Sequence, residues 1–257
     1  MESIKKSDFV QSLEKGLNVI ASFDAENQSM TLTEVAKKVD LTRANARRIL
    51  LTLQYLGYVQ CEDGKKFSLS PKILTLGYSY LSGLPYHEIA KPFLRQLADQ
   101  VNESCSMSVL DQNDIVYVAR VQTNRIMTLA LGIGTRLPVY ATSMGRVLLS
   151  RLEDEDLLQY LHSLKIEKLT ENTITDPDKL FERIKVVRNR GWAIADQELE
   201  IGVRSIACPI NDKSGKTIAA LNISGHASRV SKDEMQEKFL PHLKSTVVQI
   251  ENAIHKL

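Results

Sequence analysis

Residues 31–69 most restrict what this chain can become: two short capped helices, a tight break between them, then a hairpin. TLTEVAKKV places Glu34 three residues after Thr31, the reciprocal capping pattern of a helix start. Leu32, Val35, Ala36 and Val39 give that helix one apolar side. Asp40 and Leu41 break it, and the Thr42 hydroxyl is placed to cap a second helix running to about Tyr55, with Gly57 as its terminator. YVQC and KKFSLS follow as two short extended runs around Asp63-Gly64, a hairpin signal. Three short helices followed by a two-stranded wing form a winged helix-turn-helix. The third helix is supplied upstream, where Phe9, Val10, Leu13, Leu17, Ile20 and Phe23 recur at helical spacing.

The second helix of the pair carries an unusual charge. At about 100° per residue, Ala46, Ile49, Leu50 and Leu53 share one side. Ala44 and Arg48 point away from it, with Asn45 and Arg47 on the flanks. The formal net charge is only +2, so polyanion binding has to come from such a local patch. Arginine can make two hydrogen bonds to guanine, asparagine two to adenine, and alanine leaves room for the backbone to approach. Lys37, Lys38, Thr42 and Arg43 are expected to hold phosphates beside the groove, and Lys65 and Lys66 to do so from the wing tip. A solvated basic face on a structural helix is the plainer alternative. The turn, the paired caps and the wing together favour duplex DNA.

After the wing, Pro71 opens a helix over 71–84 that stops before Pro85, and the texture then changes. A helix at about 86–101 precedes the alternating runs CSMSVLD, IVYVARVQ and IMTLAL. A glycine-bearing loop enters a helix near Ser143, helices are expected at 154–163 and 177–190, and SIACPIND and KTIAALNISG flank the turn at Lys213-Ser214-Gly215. A long amphipathic helix from about Lys232 ends the chain. Antiparallel hairpins with helices and no βαβ beat indicate an α+β domain. The expected division is 1–70, a linker helix at 71–85, and 86–257.

Other classes are poorly served. The chain begins MESIKKSDFV, without the apolar core of a signal peptide, and no window approaches the roughly 18 apolar residues of a membrane span. Cys61, Cys105 and Cys208 are odd in number and form no CxxC pair, as expected of reduced thiols in the cytoplasm. His87, His162, His226, His242 and His255 have no metal-ligand spacing, no GxSxG elbow is present, and GIGT lacks the setting of a dinucleotide fingerprint. No metal or cofactor is therefore expected. A hydrolase-like enzyme with an incidental winged helix used for protein interaction is the main rival, but it leaves the basic helix without a purpose.

QSLEKGLNVIASF, TLTEVAKKVDLTRANARRILLTLQYLGYV, the wing and PKILTLG resemble, in order, the DNA-binding half of an IclR-type transcriptional regulator. GTRLPVYATSMGRVLLS, RNRGWAIADQELEIGVRSIACPIND and IAALNISG continue the resemblance over nearly the whole chain. DLTRANARRILLTL, LTENTITD and TIAALNISG are similar to the PcaR/PcaU/PobR branch, which controls aromatic-acid breakdown. The resemblance implies a GAF-like antiparallel-sheet effector domain, double-stranded operator DNA as partner, and a homodimer or dimer of dimers. It also implies a small carboxylate effector such as protocatechuate or 4-hydroxybenzoate.

YATSMGR is the strongest local feature of the second half. Thr142 or Ser143 would cap the helix, leaving the amides of Ser143, Met144 and Gly145 facing whatever lies in front, as an anion prefers. An ordinary cap facing water is the alternative. The resemblance places the effector here, with Leu129 and Leu137 on an apolar wall, Ser143 and Met144 at the amide end, and Val203 and Ser205 on a facing strand. Asn222 and Ser224, two apart on a strand, project to one side and suit a ring hydroxyl. Arg136 and Arg204 are candidate partners for the anion, each with a competing structural role such as pairing with Glu198 or Glu200; Arg120 and Arg125 are weaker candidates. Family members often carry an acidic residue at the place of Ala195 and another after it; here only Asp196 remains.

Overall fold

A computed structural model describes residues 5–123 and 131–256. The chain divides into two compact units, Met1–Tyr80 and Leu81–Leu257.

In the first unit, α1 (Gln11–Ala21) is followed by β1 (Ser29–Thr31), α2 (Leu32–Lys38), α3 (Arg43–Tyr55), β2 (Val59–Gln60) and β3 (Lys66–Leu69). The capping box forms: the Glu34 amide donates to Thr31 Oγ1 at 3.3 Å, and the Thr31 amide donates to Glu34 Oε2 at 2.7 Å. Asp40, at φ 50°, makes the break, and Thr42 caps α3 by accepting from the Asn45 amide. Val35, Leu50 and Leu53 pack with Val19, Phe23, Val59 and Phe67. The wing turns at Gly64 (φ +70°), where Asp63 Oδ1 accepts from the amides of Lys65 and Lys66. Those amides, Lys66 first, hold the Asp63 carboxyl below its usual range. The sheet has three strands, not two: β1 pairs antiparallel with β3, setting Met30 opposite Phe67. Around α1, Val19 is buried, but Phe9, Val10, Leu13 and Leu17 are exposed, Leu13 by 61%. The helix expected over 71–84 is a 3₁₀ turn at Pro71–Ile73 running into α4 (Leu74–Ser82).

The second unit opens with α5 (Pro85–Val101), whose first proline, Pro85, sits in the first turn where no N–H is needed, while Pro92 lies inside the helix. Then come β4 (Ser104–Asp111), β5 (Asp114–Val121), β6 (Arg136–Pro138), α6 (Ser143–Leu149), α7 (Asp154–Ser163) and α8 (Pro177–Arg190). Next are β7 (Ala193–Asp196), β8 (Val203–Asn211), β9 (Thr217–His226), α9 (Lys232–Glu234) and α10 (Leu240–Ile254). The expectations at 154–163 and 177–190 coincide with α7 and α8, the latter capped by Asp176 and ended by Gly191 in the left-handed region. The C-terminal helix is not uniform. A π-helical stretch at Met235–Phe239 precedes Pro241, which has no N–H to donate and whose ring would crowd the carbonyl four residues back in an α-helix. The strand expected over IMTLAL falls outside the described residues except for Leu131, as do Leu129 and Arg125.

One antiparallel sheet, in the order β6-β5-β4-β9-β8-β7, divides this unit. Strand side chains alternate between faces. Met107, Ile206, Leu221 and Ile223 pack on one face with Leu94 and Leu97 of α5 and Leu243 and Ile250 of α10. Ile115, Ala207 and Ala220 belong to the other core, with Val147 and Leu148 of α6, Leu157 of α7 and Ile184 of α8. The cavity-facing residues described next lie on that second side.

Candidate functional site

On α3, Ala46 and Leu50 are fully buried, while Arg43, Ala44, Arg47 and Arg48 are exposed and Asn45 is half-buried. Lys37, Lys38, Lys65, Lys66 and Thr42 are exposed as well. The outer face is divided. Asn45 and Arg48 border an open, mostly apolar groove of about 720 Å³ against Leu13, Leu17 and Ile20, whereas Arg43, Ala44 and Arg47 do not. Lys38 is engaged by Asp24, with Nζ donating to Oδ2 at 2.6 Å.

In the second unit, α6 begins at the sheet and all seven of its residues are buried. The Gly145 amide donates to Thr142 Oγ1 at 3.0 Å, so it is spent on the cap and is not among the free amides expected there. Ser143 Oγ and Ser205 Oγ hydrogen-bond at 2.8 Å across the helix–strand boundary. Ser108 Oγ donates to Met144 Sδ at 3.1 Å. Leu137, Thr142, Ser143, Met144, Val203, Ser205, Asn222 and Ser224 meet around one enclosed cavity of about 30 Å³. Asn222 Oδ1 and Ser224 Oγ are buried in its wall with no hydrogen-bond partner. Ala195, where an acid is common in the family pattern, also lines it.

Neither arginine proposed for the anion lines the cavity. Arg204 lies between Val203 and Ser205 and therefore projects to the opposite face of β8. Its Nε donates to Asp196 Oδ1 at 2.6 Å, and its Nη1 donates to the carbonyls of Ala227 and Val230. Burial opposes ionisation of Asp196, but the bonds from Arg204 and Lys232 hold its carboxyl below the usual range. Arg136 precedes Leu137 on β6 and turns outward in the same way. It clamps the β4–β5 turn, with Nη1 2.6 Å from Asp111 Oδ2 and Nε 3.0 Å from Asp114 Oδ2.

The arginine that does sit behind the cavity is Arg146, 1% exposed on α6, which the sequence reading overlooked. It grips Glu198, a cavity-lining residue: Nη1 donates to Oε1 at 2.8 Å and Nη2 to Oε2. It also donates to the carbonyls of Ile194 and Tyr140. Thr170 and Thr173 hold the same loop by donating to the Gln197 and Glu198 carbonyls, each at 2.7 Å. The available signal was a lone arginine in α6 directly before the apolar run VLL, a charge that burial forces to find a partner.

Each unit matches a known family of domains. Residues 12–63 match the IclR helix-turn-helix domain, and residues 78–252 match the bacterial transcriptional regulator IclR C-terminal domain. The chain belongs to the IclR family. It is a DNA-binding transcriptional regulator with an effector domain, and not an enzyme. This IclR-family chain is 44% identical to the Pca regulon regulatory protein of Pseudomonas putida, over 92% of this chain and 81% of that one. A transcriptional regulator from Rhodococcus sp. RHA1 is similar in structure, with a TM-score of 0.85, 53% identity, and coverage of 96% of this chain and 98% of the other. A double mutant of the PobR inducer-binding domain from Acinetobacter, in complex with 3-hydroxybenzoic acid, gives a TM-score of 0.62 at 35% identity, covering 65% of this chain and 98% of that one. Among the described residues, no cluster of three or more His, Cys, Asp or Glu could hold a metal ion, and no helix is long and apolar enough to cross a membrane.

Proposed function

We propose that this IclR-family regulator controls transcription in response to a small aromatic carboxylate of the protocatechuate or 4-hydroxybenzoate type. It works in the cytoplasm as a homodimer or a dimer of dimers. The observation that carries the effector reading is the cavity between α6 and the sheet. It combines apolar walls at Leu137 and Val203 with two buried polar atoms, on Asn222 and Ser224, that lack partners. Unsatisfied buried polar groups are costly, and a ligand hydroxyl would satisfy them. The aromatic acid bound by the PobR domain and the Pca regulon name of the Pseudomonas relative support that ligand class.

A cavity of about 30 Å³ has room for about one water molecule, so an aromatic acid has to bind an opened form of the unit. Effector action is then a linkage effect: ligand favours the opened form, and whatever arrangement that form imposes on the DNA-binding units is selected with it. A thermal-shift series with 4-hydroxybenzoate, protocatechuate and short dicarboxylic acids tests this. An aromatic acid at 100 times its Kd should add about 2.7 kcal/mol and raise Tm. No shift with any aromatic acid would overturn the proposed effector class.

On the DNA side, Arg47 is the residue proposed to read a base and the lysines to hold phosphates, with half-sites about 10–10.5 bp apart or a multiple of that. Arg47→Ala should cost about 1–3 kcal/mol of operator affinity, concentrated at one base pair. Titration against a set of single-base operator variants measures it. A loss spread evenly over all sequences would make Arg47 a phosphate contact. The exposed apolar residues Leu13 and Leu17 of α1, and Leu74 and Tyr78 of α4, support self-association of the first unit.

A further inference from the structure

Arg120 is a half-buried cation on β5 that forms no ion pair among the described residues. Its Nη1 donates to Ser106 Oγ at 2.9 Å, but Nε and Nη2 are buried with no hydrogen-bond partner. The strand register locates it. Ser106 of β4 is paired with Arg120 on one side and with Asn222 of β9 on the other. Directly paired residues project to the same face of a sheet, so Arg120, Ser106 and Asn222 form one row on the side that carries the cavity. Two steps of about 4.8 Å separate the row's ends, and the guanidinium is bonded to the middle member. Arg120 does not itself line the closed cavity, but it stands on the cavity's side of the sheet, 5.7 Å from the centre of the Tyr117 ring, which does line it.

Arg120, with its unpaired donors, is therefore two strands away from Asn222 and Ser224 and their unpaired oxygen atoms. Burial pushes the Arg120 pKa down, as it does for any cation kept from water without a counter-ion. It also pushes the Tyr117 hydroxyl up to about 12, so that group stays a neutral phenol beside the guanidinium. Arginine offers a carboxylate two parallel N–H bonds, the strongest ordinary recognition of that group. Arg136 and Arg204 have spent theirs on aspartates, and Arg146 has spent its own on Glu198.

We propose that Arg120, steadied by Ser106, is the residue that reads the effector's carboxylate from the floor of the sheet, with Asn222 and Ser224 taking the ring hydroxyl. This rests on the aromatic-carboxylate reading above and makes it specific. The negative group is recognised by a side chain on β5, three strands from β8.

The test is calorimetric titration of the full chain with 4-hydroxybenzoate and protocatechuate, each against its carboxamide. Wild type should prefer each acid by at least about tenfold. Arg120→Gln should lose that preference by weakening the acid and leaving the amide unchanged, and Arg120→Lys should retain part of it. The ligand-free Arg120→Gln protein should melt no lower than wild type, because an unpaired buried charge has been removed. An unchanged acid-to-amide ratio in Arg120→Gln overturns the assignment alone. Wild type binding neither acid overturns both the assignment and the effector class. If Arg120→Gln does not fold, Ser106→Ala takes its place: a reduced ratio supports the assignment, and an unchanged one overturns it.

Discussion

Glu198→Ala is expected to lower the unfolding free energy of the effector unit by about 3–5 kcal/mol. The reason is the state in which it leaves Arg146. That guanidinium is among the most deeply buried groups of the molecule, and its Nε already lacks a partner. Removing the carboxylate leaves a full charge facing two carbonyls in a core of Met144, Val147 and Leu148. Desolvating an uncompensated charge costs far more than the intact pair contributes. The double variant Arg146→Met/Glu198→Leu should therefore recover most of the loss, since an apolar replacement of a buried pair is often neutral. Urea unfolding followed by fluorescence separates the cases. The single tryptophan, Trp192, lies in the effector unit, with its ring 3.7 Å from the Arg190 guanidinium. A loss below about 1 kcal/mol would mean that water reaches Arg146 readily and that the Glu198 loop is not pinned by it.

Gly145→Ala should cost about 3 kcal/mol, against the sign that helix propensity alone assigns. In an ordinary helix, alanine would gain roughly 0.5–1 kcal/mol over glycine. Here a β-carbon would stand 2.0 Å from the Val139 carbonyl oxygen and 2.7 Å from Thr142 Oγ1. The first of these is backbone, so the start of α6 has to move. That movement breaks the Thr142 cap and displaces Ser143 from Ser205, the bond that ties the helix to the cavity floor. Equilibrium unfolding and the effector titration should both be affected. A variant as stable as wild type would show that the 3₁₀ turn at Val139–Ala141 yields easily.

Gly145 and Glu198 differ in how far their roles were visible in the chain. Gly145 follows Thr142 by three residues, and a cap at that spacing is a local device. The same holds for Thr31 with Glu34, Thr42 with Asn45, and Asp63 with the amides of Lys65 and Lys66. The period of two along β9 grouped Asn222 with Ser224, and both line the cavity, as do Val203 and Ser205, which the family resemblance placed there. Applied to the arginines, the same rule excludes Arg204 and Arg136, each adjacent to a cavity residue and so on the reverse face. The error there lay in expecting an anion partner from charge without asking which face carried it.

Partners distant along the chain were not legible. Arg146 and Glu198 are 52 residues apart, and nothing near either one names the other. β1 is three residues long and exists because Met30 finds Phe67 across the wing. β7 exists because Ala193–Asp196 completes the edge beside β8.

The amino-acid order alone thus determined the helix starts, the turns and which residues share a strand face. Each of these is settled by backbone groups and side chains within about four residues of one another. Tertiary packing alone decided which buried charge meets which and which polar atoms are left unpartnered at the cavity. Those outcomes depend on desolvation and on strand register, and neither exists until distant segments close on each other.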